Sequence, residues 1–287
     1  MKEPKVCVIM PVYNGEKTIK LALASLLNQS YTNWECVIVN DGSTDGTRSI
    51  LDSLKDPRFK VIHLQKNVGR GAARQVCLDN VEGDYLCYLD ADDFYHKDKI
   101  FEQVLVLERD PKINLVASGI LVFDDAYKPI NIRGVIKKDV SNFRDGNPLQ
   151  IVVPTAMIRL PKALDYSYNS NLNAGEDVDY FSQYLDGGRY VNLDKVHVYY
   201  YTGTTTRQKV LSYTWNDIKR GIYLIRRKPV NGIKLIGINT FKYLAYFVLI
   251  PIFGLDYFIK RRGKCYSESQ ADVFESTLKS LRNETTI

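Results

Sequence analysis

The sequence is poor in cysteine and contains no Cys-x-x-Cys pair. Its five cysteines are odd in number and scattered, and four of them lie among apolar residues. We therefore expect reduced, structural thiols in a cytosolic protein. The first residues, MKEPKVCVIMPVYNGE, lack a long apolar region and a small-residue cleavage site, so we expect no secretory signal. Internal repeats and low-complexity segments are also absent from the sequence.

The charge distribution divides the chain into two parts. Residues 1–206 carry 24 Lys and Arg against 27 Asp and Glu, whereas residues 207–287 carry 15 against 6. A chain of 287 residues that is 45% hydrophobic and 25% charged can bury one large α/β core and carry an appendage. We therefore predict one domain over residues 1–206 and a basic helical region over residues 207–287.

Short apolar runs of strand length alternate with segments of helical spacing near the start of the chain. The apolar runs are KVCVIMPVY, WECVIVND, FKVIHLQ and GDYLCYLDADD, which gives the order βαβαβαβ. This order predicts an α/β fold with a mainly parallel, Rossmann-like sheet that is covered by helices on both faces. Functional groups in such folds lie at the carboxyl ends of the strands, here Tyr13, Asn40-Asp41, Asn67 and Asp90 to Asp93.

The rest of this domain has a less regular pattern. A helix is predicted over Lys99–Arg109, a loop or irregular structure over residues 124–150, and a strand at VVPTAMIRL. The segment NAGEDVDYFSQYL is typical of a loop that enters a helix, and it places Glu176 and Asp177 at the start of that helix.

Three carboxylates within four residues follow the fourth strand, in the stretch CYLDADDFY. Clustered carboxylates repel each other and cost free energy to desolvate, so a cation is expected beside them. Asp90 and Asp92 are two positions apart, and in a strand such residues point to the same side. Their hard oxygen atoms suit Mg²⁺ or Mn²⁺ that bridges a diphosphate. The competing interpretation is an exposed acidic turn.

Five motifs carry a resemblance to a known family. VIMPVYNGE, VIVNDGSTDGT, NVGRGAAR, YLDADD and GEDVDY occur in that order, and with them residues 5–205 resemble a glycosyltransferase of family 2 with the GT-A fold. The resemblance implies metal-dependent, inverting transfer of a sugar from a nucleoside diphosphate sugar, which we expect to be a UDP-sugar, to an acceptor hydroxyl. The acceptor would be a saccharide or a lipid-linked saccharide in cell-surface polysaccharide or glycolipid assembly.

The resemblance also implies which residues bind the donor: Pro11, Tyr13, Asp41, Asn67, Arg70, Arg74, Asp90, Ala91 and Glu176. The Tyr13 ring would pack on the nucleotide base, and the Asp41 carboxylate would accept a hydrogen bond from that base. Arg70 or Arg74 would lie near the diphosphate. Without the resemblance, Tyr13 could cap the core and Asp41 could be an ordinary turn residue. Either Arg could form a surface salt bridge.

The metal ligands and the catalytic base follow from the same resemblance. Asp92 would contact Mg²⁺ or Mn²⁺ directly, and Asp90 would lie nearer the ribose or the water ligands of the metal. Asp177 would accept the proton of the acceptor hydroxyl, with Glu176 as the alternative. Because acids often occupy the first helical turn for dipole reasons alone, Asp179 and its neighbours also have a purely structural explanation.

The sequence departs from the family pattern at one place. Many GT-A enzymes have a late His that completes the metal site, but here the usual positions hold threonine and glycine. His197 comes earlier and is predicted to be a strand residue. The third metal contact would then come from water or phosphate.

Residues 217–264 combine positive charge with apolar side chains. They hold eleven Lys and Arg and two acids, and the thirteen uncharged residues YLAYFVLIPIFGL lie between Lys242 and Asp256. As a helix, this stretch would span about 20 Å, short of the roughly 30 Å hydrocarbon core, and Pro251 and Gly254 would weaken it. We predict an interfacial or re-entrant helix, and hence a cytoplasmic protein that is peripheral on an anionic membrane surface. A helical cap on the first domain is the alternative.

Three other functions are weighed against this prediction. Nucleic acid binding is disfavoured because no recognised binding motif accompanies the basic residues. A nucleotidyltransferase would normally have a Gly-rich loop with Lys or Arg after the first strand, where this chain has PVYNGE. A non-catalytic nucleotide-sugar binding module would keep the fold, but the joint presence of Asp90, Asp92 and Asp177 argues against it.

Overall fold

The structure is a computed structural model that describes residues 3–135, 138–144, 151–172, 175–203, 206–260 and 263–284. The strands within these ranges are β1 (Val6–Val12), β2 (Trp34–Asn40), β3 (Phe59–His63), β4 (Tyr85–Tyr88), β5 (Phe94–Tyr95), β6 (Ile113–Phe123), β7 (Pro129–Arg133), β8 (Lys138–Asn142), β9 (Met157–Arg159) and β10 (Arg189–Tyr201). The helices are α1 (Ile19–Leu27), α2 (Thr47–Asp52), α3 (Arg70–Leu78), α4 (Lys99–Arg109), α5 (Leu160–Ala163), α6 (Glu176–Leu185), α7 (Arg207–Ile225), α8 (Pro229–Phe253), α9 (Leu255–Lys260) and α10 (Glu268–Glu284).

All of these strands belong to one mixed sheet. Its order is β3-β2-β1-β4-β9-β6-β10-β5, with β7 paired to β6 and β8 paired to β10. Strands β1 to β4 are mutually parallel, and so are β6 and β10, while β9 runs antiparallel between the two groups. The prediction of an α/β fold is therefore confirmed, with a sheet that is parallel over β1 to β4 and mixed as a whole.

Burial on both faces of the sheet explains the unbroken apolar runs. In β1, Val8 and Met10 belong to the core on one face, and Cys7 and Ile9 belong to the core on the other. A parallel strand that is buried on both sides needs apolar residues at successive positions, because alternate side chains enter opposite cores. Polar residues are therefore excluded from the interior of such a strand and occur where it ends.

The predicted loop over residues 124–150 contains two strands, so that prediction was wrong in part. β7 forms a hairpin with β6, and the Asp124 carboxylate closes the turn by accepting two backbone hydrogen bonds at 2.9 Å. The strand predicted at VVPTAMIRL is limited to β9, because Pro154 lies in a short 3-10 helix before it. Residues 136, 137 and 145–150 of the predicted loop lie outside the described residues.

The last helix packs on the sheet. Phe274 of α10 is fully buried, and its ring centroid lies 5.9, 5.6 and 5.3 Å from those of Phe94, Phe123 and Tyr199. The predicted boundary near Thr206 does coincide with the start of α7, where the Thr206 hydroxyl accepts a hydrogen bond from a backbone amide of the helix. Within the predicted basic region, α10 contributes Phe274, Leu278 and Leu281 to a core cluster that also contains sheet residues.

α8 is longer than the apolar stretch recognised in the sequence. It has 25 residues, which at about 1.5 Å per residue exceeds the roughly 30 Å membrane core. Among the described helices it alone has the length and composition to cross a membrane, and 11% of its apolar window is buried. The expectation of a segment too short to span was therefore wrong, because the helix extends toward the N-terminus through Lys242 and Lys234.

Pro251 and Gly254 have different effects on this helix. Gly254 ends α8 with a φ of 78°, whereas Pro251 lies inside the last turn. Because proline has no N–H group, Pro251 leaves the carbonyl of Phe247 without its helical donor. Arg207 of α7 fills that place, since its Nη2 donates to the Phe247 carbonyl oxygen at 2.9 Å. The two helices are joined there.

Candidate active site

A cleft of about 700 Å³ opens beyond the carboxyl ends of β1, β2 and β4. Its lining residues are Pro11, Val12, Tyr13, Asn14, Gly15, Thr18, Asp41, Asn67, Gly69, Arg70, Ala73, Asp90, Ala91, Asp92, Arg133, Tyr200, Tyr201, Thr202, Gly203, Lys209 and Tyr213. Most of the predicted donor-binding residues are thus brought together. Arg74, Glu176 and Asp177 do not belong to this lining.

Tyr13 and Asp41 both line the cleft but differ in environment. Tyr13 is 50% exposed, so its ring is accessible. Asp41 is buried, and its carboxylate accepts hydrogen bonds from the amides of Val68 at 2.7 Å and Gly69 at 3.1 Å. The side chain therefore holds a distant loop in addition to occupying a turn. Each carboxylate oxygen can accept more than one hydrogen bond, so Asp41 retains capacity for a ligand N–H group.

The loop that Asp41 holds leads directly into α3. Gly69 precedes the helix with a φ of 91°, a backbone conformation that residues with a Cβ atom rarely adopt. Gly69, Arg70 and Ala73 line the cleft. The N-terminal end of α3, where free N–H groups and the helix dipole favour anions, therefore lies beside the cleft.

Asp90, Ala91 and Asp92 follow β4 in a turn, so the strand geometry assumed for them was wrong. The amide of Asp93 closes this turn by donating to the Asp90 carbonyl at 3.0 Å. Asp90 and Asp92 nevertheless both line the cleft. The carboxylate of Asp90 accepts a hydrogen bond from Arg74 Nη2 at 2.8 Å, whereas the Asp92 side chain is exposed to the cleft.

Asp92 and Asp93 are adjacent in sequence but differ in exposure and in electrostatic environment. Although the Asp92 side chain is exposed to the cleft, the surrounding protein removes much of its water. This desolvation, with repulsion from Asp90 as a smaller cause, raises the pKa of Asp92 to about 6. Asp93 is buried, its carboxylate accepts a hydrogen bond from the Tyr201 amide at 2.8 Å, and burial raises its pKa. A cation in the cleft would therefore meet Asp90 and Asp92.

A metal ion at this turn would receive few ligands from the protein. Within the described ranges, no group of three or more His, Cys, Asp or Glu side chains could hold a metal. Asp90 and Asp92 would supply hard oxygen atoms, and water and diphosphate would complete the coordination, which is usual for Mg²⁺ beside phosphates. The residues present fit such an ion.

Behind the cleft, two guanidinium groups hold one carboxylate. Glu176 is 0% exposed, and its Oε1 accepts hydrogen bonds from Arg70 Nε at 2.6 Å and from Arg74 Nη1 at 2.7 Å. Arg74 is itself buried, whereas the side chain of Arg70 is 45% exposed and reaches the cleft. Of the two arginines predicted near the diphosphate, Arg70 is thus the accessible one. Glu176 faces these arginines.

The first turn of α6 carries three acids in different environments. Glu176 is enclosed by the arginines, and Asp179 is buried against Arg227, whose Nη2 donates to its Oδ1 at 2.9 Å. Asp177 is more accessible, with its side chain 23% exposed. Its Oδ1 accepts a hydrogen bond from the Val178 amide at 2.7 Å, and its Oδ2 lies 3.8 Å from Arg74 Nη1. Asp177 is therefore the member of this turn best able to meet a substrate hydroxyl.

α7 brings a further carboxylate toward this turn. Asp217 Oδ1 lies 4.0 Å from the position that a Cβ atom on Gly175 would occupy, two residues before Asp177. Burial is the largest cause of the raised pKa of Asp217, and the charge of Asp177 adds to it, while Arg220 and Lys242 oppose the shift. No pattern in the sequence pointed to Asp217, because it lies in the region predicted to be an appendage.

Sequence reasoning also missed several residues of the cleft itself. Arg133 comes from β7, which was predicted to be a loop, and Lys209 and Tyr213 come from α7. His197, by contrast, is a strand residue as predicted. It is buried in β10, its Nε2 lies 3.1 Å from Glu102 Oε2, and burial lowers its pKa to about 3.

Comparison of sequences identifies related proteins. Residues 7–167 match the family described as Glycosyl transferase family 2. An uncharacterised glycosyltransferase of Haemophilus influenzae is 42% identical over 106 residues, which are 36% of this chain and 42% of that protein. The teichuronic acid biosynthesis glycosyltransferase TuaG of Bacillus subtilis is 38% identical over 125 residues, which are 42% of this chain and 50% of that protein. The chain thus spans half or less of the length of these relatives.

Comparison of structures identifies the same fold. Staphylococcus aureus TarS, solved as a fragment with UDP-GlcNAc, superposes with a TM-score of 0.65 at 18% identity, over 96% of this chain and 80% of the fragment. A mannosyltransferase from Pyrobaculum calidifontis, solved with GDP-Man and Mn²⁺, gives a TM-score of 0.59 at 16% identity, over 99% of this chain and 87% of that chain. The prediction of a GT-A fold is confirmed. Since the family match covers more than half of its residues, this chain belongs to glycosyltransferase family 2.

Proposed function

We propose that this protein is an inverting, metal-dependent glycosyltransferase that uses a nucleoside diphosphate sugar. The observation that carries the proposal is the convergence of Tyr13, Asp41, Arg70 and the Asp90–Asp92 turn on one cleft. Together they offer an aromatic face, a hydrogen-bond acceptor, a cation and hard oxygen ligands, which are the groups that a metal-bound nucleotide sugar requires. A UDP-sugar is the donor we favour, because TarS, which has a similar fold, was solved with UDP-GlcNAc.

Each donor-binding residue has one task in this proposal. The exposed Tyr13 ring packs on the base, and the Asp41 carboxylate accepts a hydrogen bond from a base N–H group. Arg70 contacts the diphosphate with the N–H groups that its bond to Glu176 leaves for the cleft. The first backbone amides of α3 add partial positive charge on the same side.

Asp92 and Asp90 would hold Mg²⁺ or Mn²⁺. Their oxygen atoms match the preference of these ions. Desolvation, and to a smaller extent repulsion from Asp90, raise the pKa of Asp92, and a positive charge would relieve that repulsion. When bound, the ion would neutralise the diphosphate and stabilise it as a leaving group. The presence of Mn²⁺ in the solved mannosyltransferase of similar fold supports this assignment.

Asp177 would act as the base. The acceptor oxygen attacks the anomeric carbon while the bond from that carbon to the diphosphate oxygen breaks, and the hydroxyl proton passes to the Asp177 carboxylate. Attack from the face opposite the leaving group inverts the anomeric centre. The negative charge that develops on the departing diphosphate meets the guanidinium of Arg70, which is already in place.

A panel of nucleotide sugars tests the proposed function. The purified protein with Mn²⁺ is expected to release nucleoside diphosphate from one donor faster than from the others, and EDTA should stop the release. Nucleoside diphosphate is measured directly, so that inorganic pyrophosphate is distinguished from it. Pyrophosphate as the product would indicate a nucleotidyltransferase, and the absence of any release with Mn²⁺ would contradict the proposal.

We further propose that α8 and the cations around it bind an anionic membrane surface. α8 exposes large apolar side chains along its length, among them Val230, Phe241 and Phe253. Residues 217–264 carry nine more positive than negative charges, although the Lys260 side chain, Arg261 and Arg262 lie outside the described residues. Apolar insertion and attraction to anionic lipids then act together. In this proposal the enzyme would act at the cytoplasmic face of the membrane, where a saccharide or lipid-linked saccharide acceptor for surface polysaccharide would be available.

Vesicle binding is expected to be strong at low salt and to weaken without vanishing as salt rises, because salt screens charges but not apolar insertion. The two tryptophans provide a reporter. Trp34 is 3% exposed, whereas Trp215 is 50% exposed in a groove of about 740 Å³ between α7 and α8. A blue shift of the tryptophan emission should therefore accompany co-sedimentation with anionic vesicles.

A matched pair of variants controls this experiment. Phe241→Ser removes an exposed ring of α8 and should lower vesicle partitioning about tenfold. Phe101→Ser, an exposed ring on α4, should leave it unchanged. Truncation after residue 206 is unsuitable, because it also removes the buried Phe274 of α10. Full recovery of the wild type in the supernatant at low salt would contradict membrane binding and favour a packing role for α8.

A further inference from the structure

One buried guanidinium contacts acids on both sides of the reaction centre. Arg74 is 4% exposed, and its Nη2 donates to Asp90 Oδ1 at 2.8 Å. Its Nη1 donates to Glu176 Oε1 at 2.7 Å and lies 3.8 Å from Asp177 Oδ2. Asp90 belongs to the turn assigned to the donor and its metal, and Asp177 is the residue assigned to the acceptor. A single side chain thus spans the gap between the two.

We propose that Arg74, with Glu176 as its anchor, is a positioning residue that fixes the Asp177 carboxylate relative to the donor-binding turn at Asp90. This inference rests on the proposed function and assigns Arg74 a role other than diphosphate binding. In-line attack needs the acceptor oxygen, the anomeric carbon and the leaving oxygen in register, and a displacement of about 1 Å can cost on the order of 10² in rate. The rigid, planar fork of a guanidinium suits this task.

The burial of Arg74 separates its role from that of Arg70. Arg74 does not line the cleft, and its two terminal nitrogens are directed at carboxylates of the protein. Arg70 does line the cleft, and its side chain is 45% exposed. A diphosphate in the cleft would therefore meet Arg70 first.

Glu176 anchors this arrangement by contacting both arginines. Its carboxylate is fully buried, and a buried charge is tolerated where opposite charges and hydrogen bonds compensate it. Arg70 and Arg74 both come from α3, and Glu176 opens α6, so the pair of ion contacts holds the two helices together. Because Asp177 is the next residue of α6, its backbone position depends on the same contacts.

The segment that carries Arg74 is also bound to Asp41, the residue assigned to bind the nucleotide base. Asp41 accepts hydrogen bonds from the Val68 and Gly69 amides, immediately before α3. Residues 68–74 are therefore bonded to Asp41, to Asp90 and to α6. One short element connects nucleotide recognition, the donor turn and the acceptor-side acid.

The test uses Arg74→Lys, which keeps the positive charge but loses the planar fork. The assay follows nucleoside diphosphate release with water as the acceptor, from the nucleotide sugar that reacts fastest in the panel. If Arg74 positions Asp177, the variant should lower kcat at least about tenfold while the donor KM changes less than about threefold. A donor ligand would instead raise KM, so a tenfold higher KM with unchanged kcat would overturn the proposal.

A double-mutant cycle shows whether Arg74 acts through Asp177. Adding Arg74→Lys to Asp177→Asn should lower kcat much less than Arg74→Lys does in the wild type, because the positioned group is already disabled. If the two substitutions instead lower kcat by independent factors that multiply in the double mutant, the inference would be overturned.

Arg159→Lys is the matched control for Arg74→Lys. The guanidinium of Arg159 also donates internal hydrogen bonds, to the carbonyls of Ile113 and Leu107, but it lies away from the cleft. This variant should lower the melting temperature and leave kcat unchanged.

Glu176→Gln provides a second variant if Arg74→Lys does not fold. It keeps the shape of the side chain and removes the anchoring charge. Like Arg74→Lys, it should lower kcat at least about tenfold while the donor KM changes less than about threefold. Wild-type kcat in either folded variant would overturn the inference while leaving the proposed function intact. A wild-type protein that releases nucleoside diphosphate from no donor would overturn both.

Discussion

Replacing Asp177 with Asn is expected to lower kcat for nucleoside diphosphate release by roughly 10² or more, with little change in donor KM. The amide has nearly the shape of the carboxylate but cannot take the proton of the attacking hydroxyl. Asp177 does not line the donor cleft, so donor affinity should not depend on its charge. Steady-state kinetics at saturating Mn²⁺, with the donor varied, separates the two parameters.

Asp179→Asn is the matched control for this experiment. It changes the same chemical group in the same helical turn, but Asp179 is buried against Arg227, whereas the Asp177 side chain is 23% exposed. We expect a lower melting temperature and a kcat within about threefold of the wild type, because a broken buried ion pair costs stability rather than chemistry. Near wild-type kcat in Asp177→Asn would contradict the assignment and direct attention to Asp217, the next carboxylate beside this turn.

The parallel half of the sheet and most of the cleft could be predicted from the sequence. A strand that is buried on both faces is apolar at successive positions, so β1, β2 and β4 appear as unbroken runs. Polar residues such as Tyr13, Asp41 and Asp92 then mark the points where the runs end. Because parallel strands end at the same edge, local pattern alone brings these residues together.

The division of labour between Arg70 and Arg74 could not be predicted. Both follow a glycine-containing turn, four residues apart on one helix, and their sequence environments are similar. Their roles are decided by Glu176, which lies more than a hundred residues away and whose burial depends on how α6 packs on α3. Pattern along one segment carries no information about which partner a charged side chain will meet.

The contribution of the C-terminal region was underestimated for a similar reason. An amphipathic helix shows that one face will be buried but not which surface will cover it. α10 buries Phe274 against the sheet, and α7 places Lys209 and Tyr213 in the donor cleft. A boundary drawn where composition changes therefore divides residues that line one cleft.

The second large effect that we expect is the dependence of donor binding and turnover on a divalent metal ion. Desolvation and repulsion from Asp90 raise the pKa of Asp92 to about 6, so the cleft holds like charges that a divalent cation would compensate. A diphosphate entering the same cleft adds further negative charge, and without the cation it would be repelled by both carboxylates. Donor affinity and turnover should therefore depend jointly on the ion and on Asp92.

Asp92→Ala is expected to weaken donor binding in Mn²⁺ at least about tenfold, and to change it far less in EDTA, because the carboxylate acts through the cation. Calorimetric titration with the donor in both buffers measures this difference. Removing a carboxylate from a repelling pair should not lower the melting temperature, which distinguishes lost binding from unfolding. Asp98→Ala, which removes a carboxylate outside the cleft, should bind donor normally in both buffers. Equal wild-type affinity in Mn²⁺ and in EDTA would contradict the assignment of Asp90 and Asp92 as metal ligands, since the ion could then not be the link between protein and diphosphate.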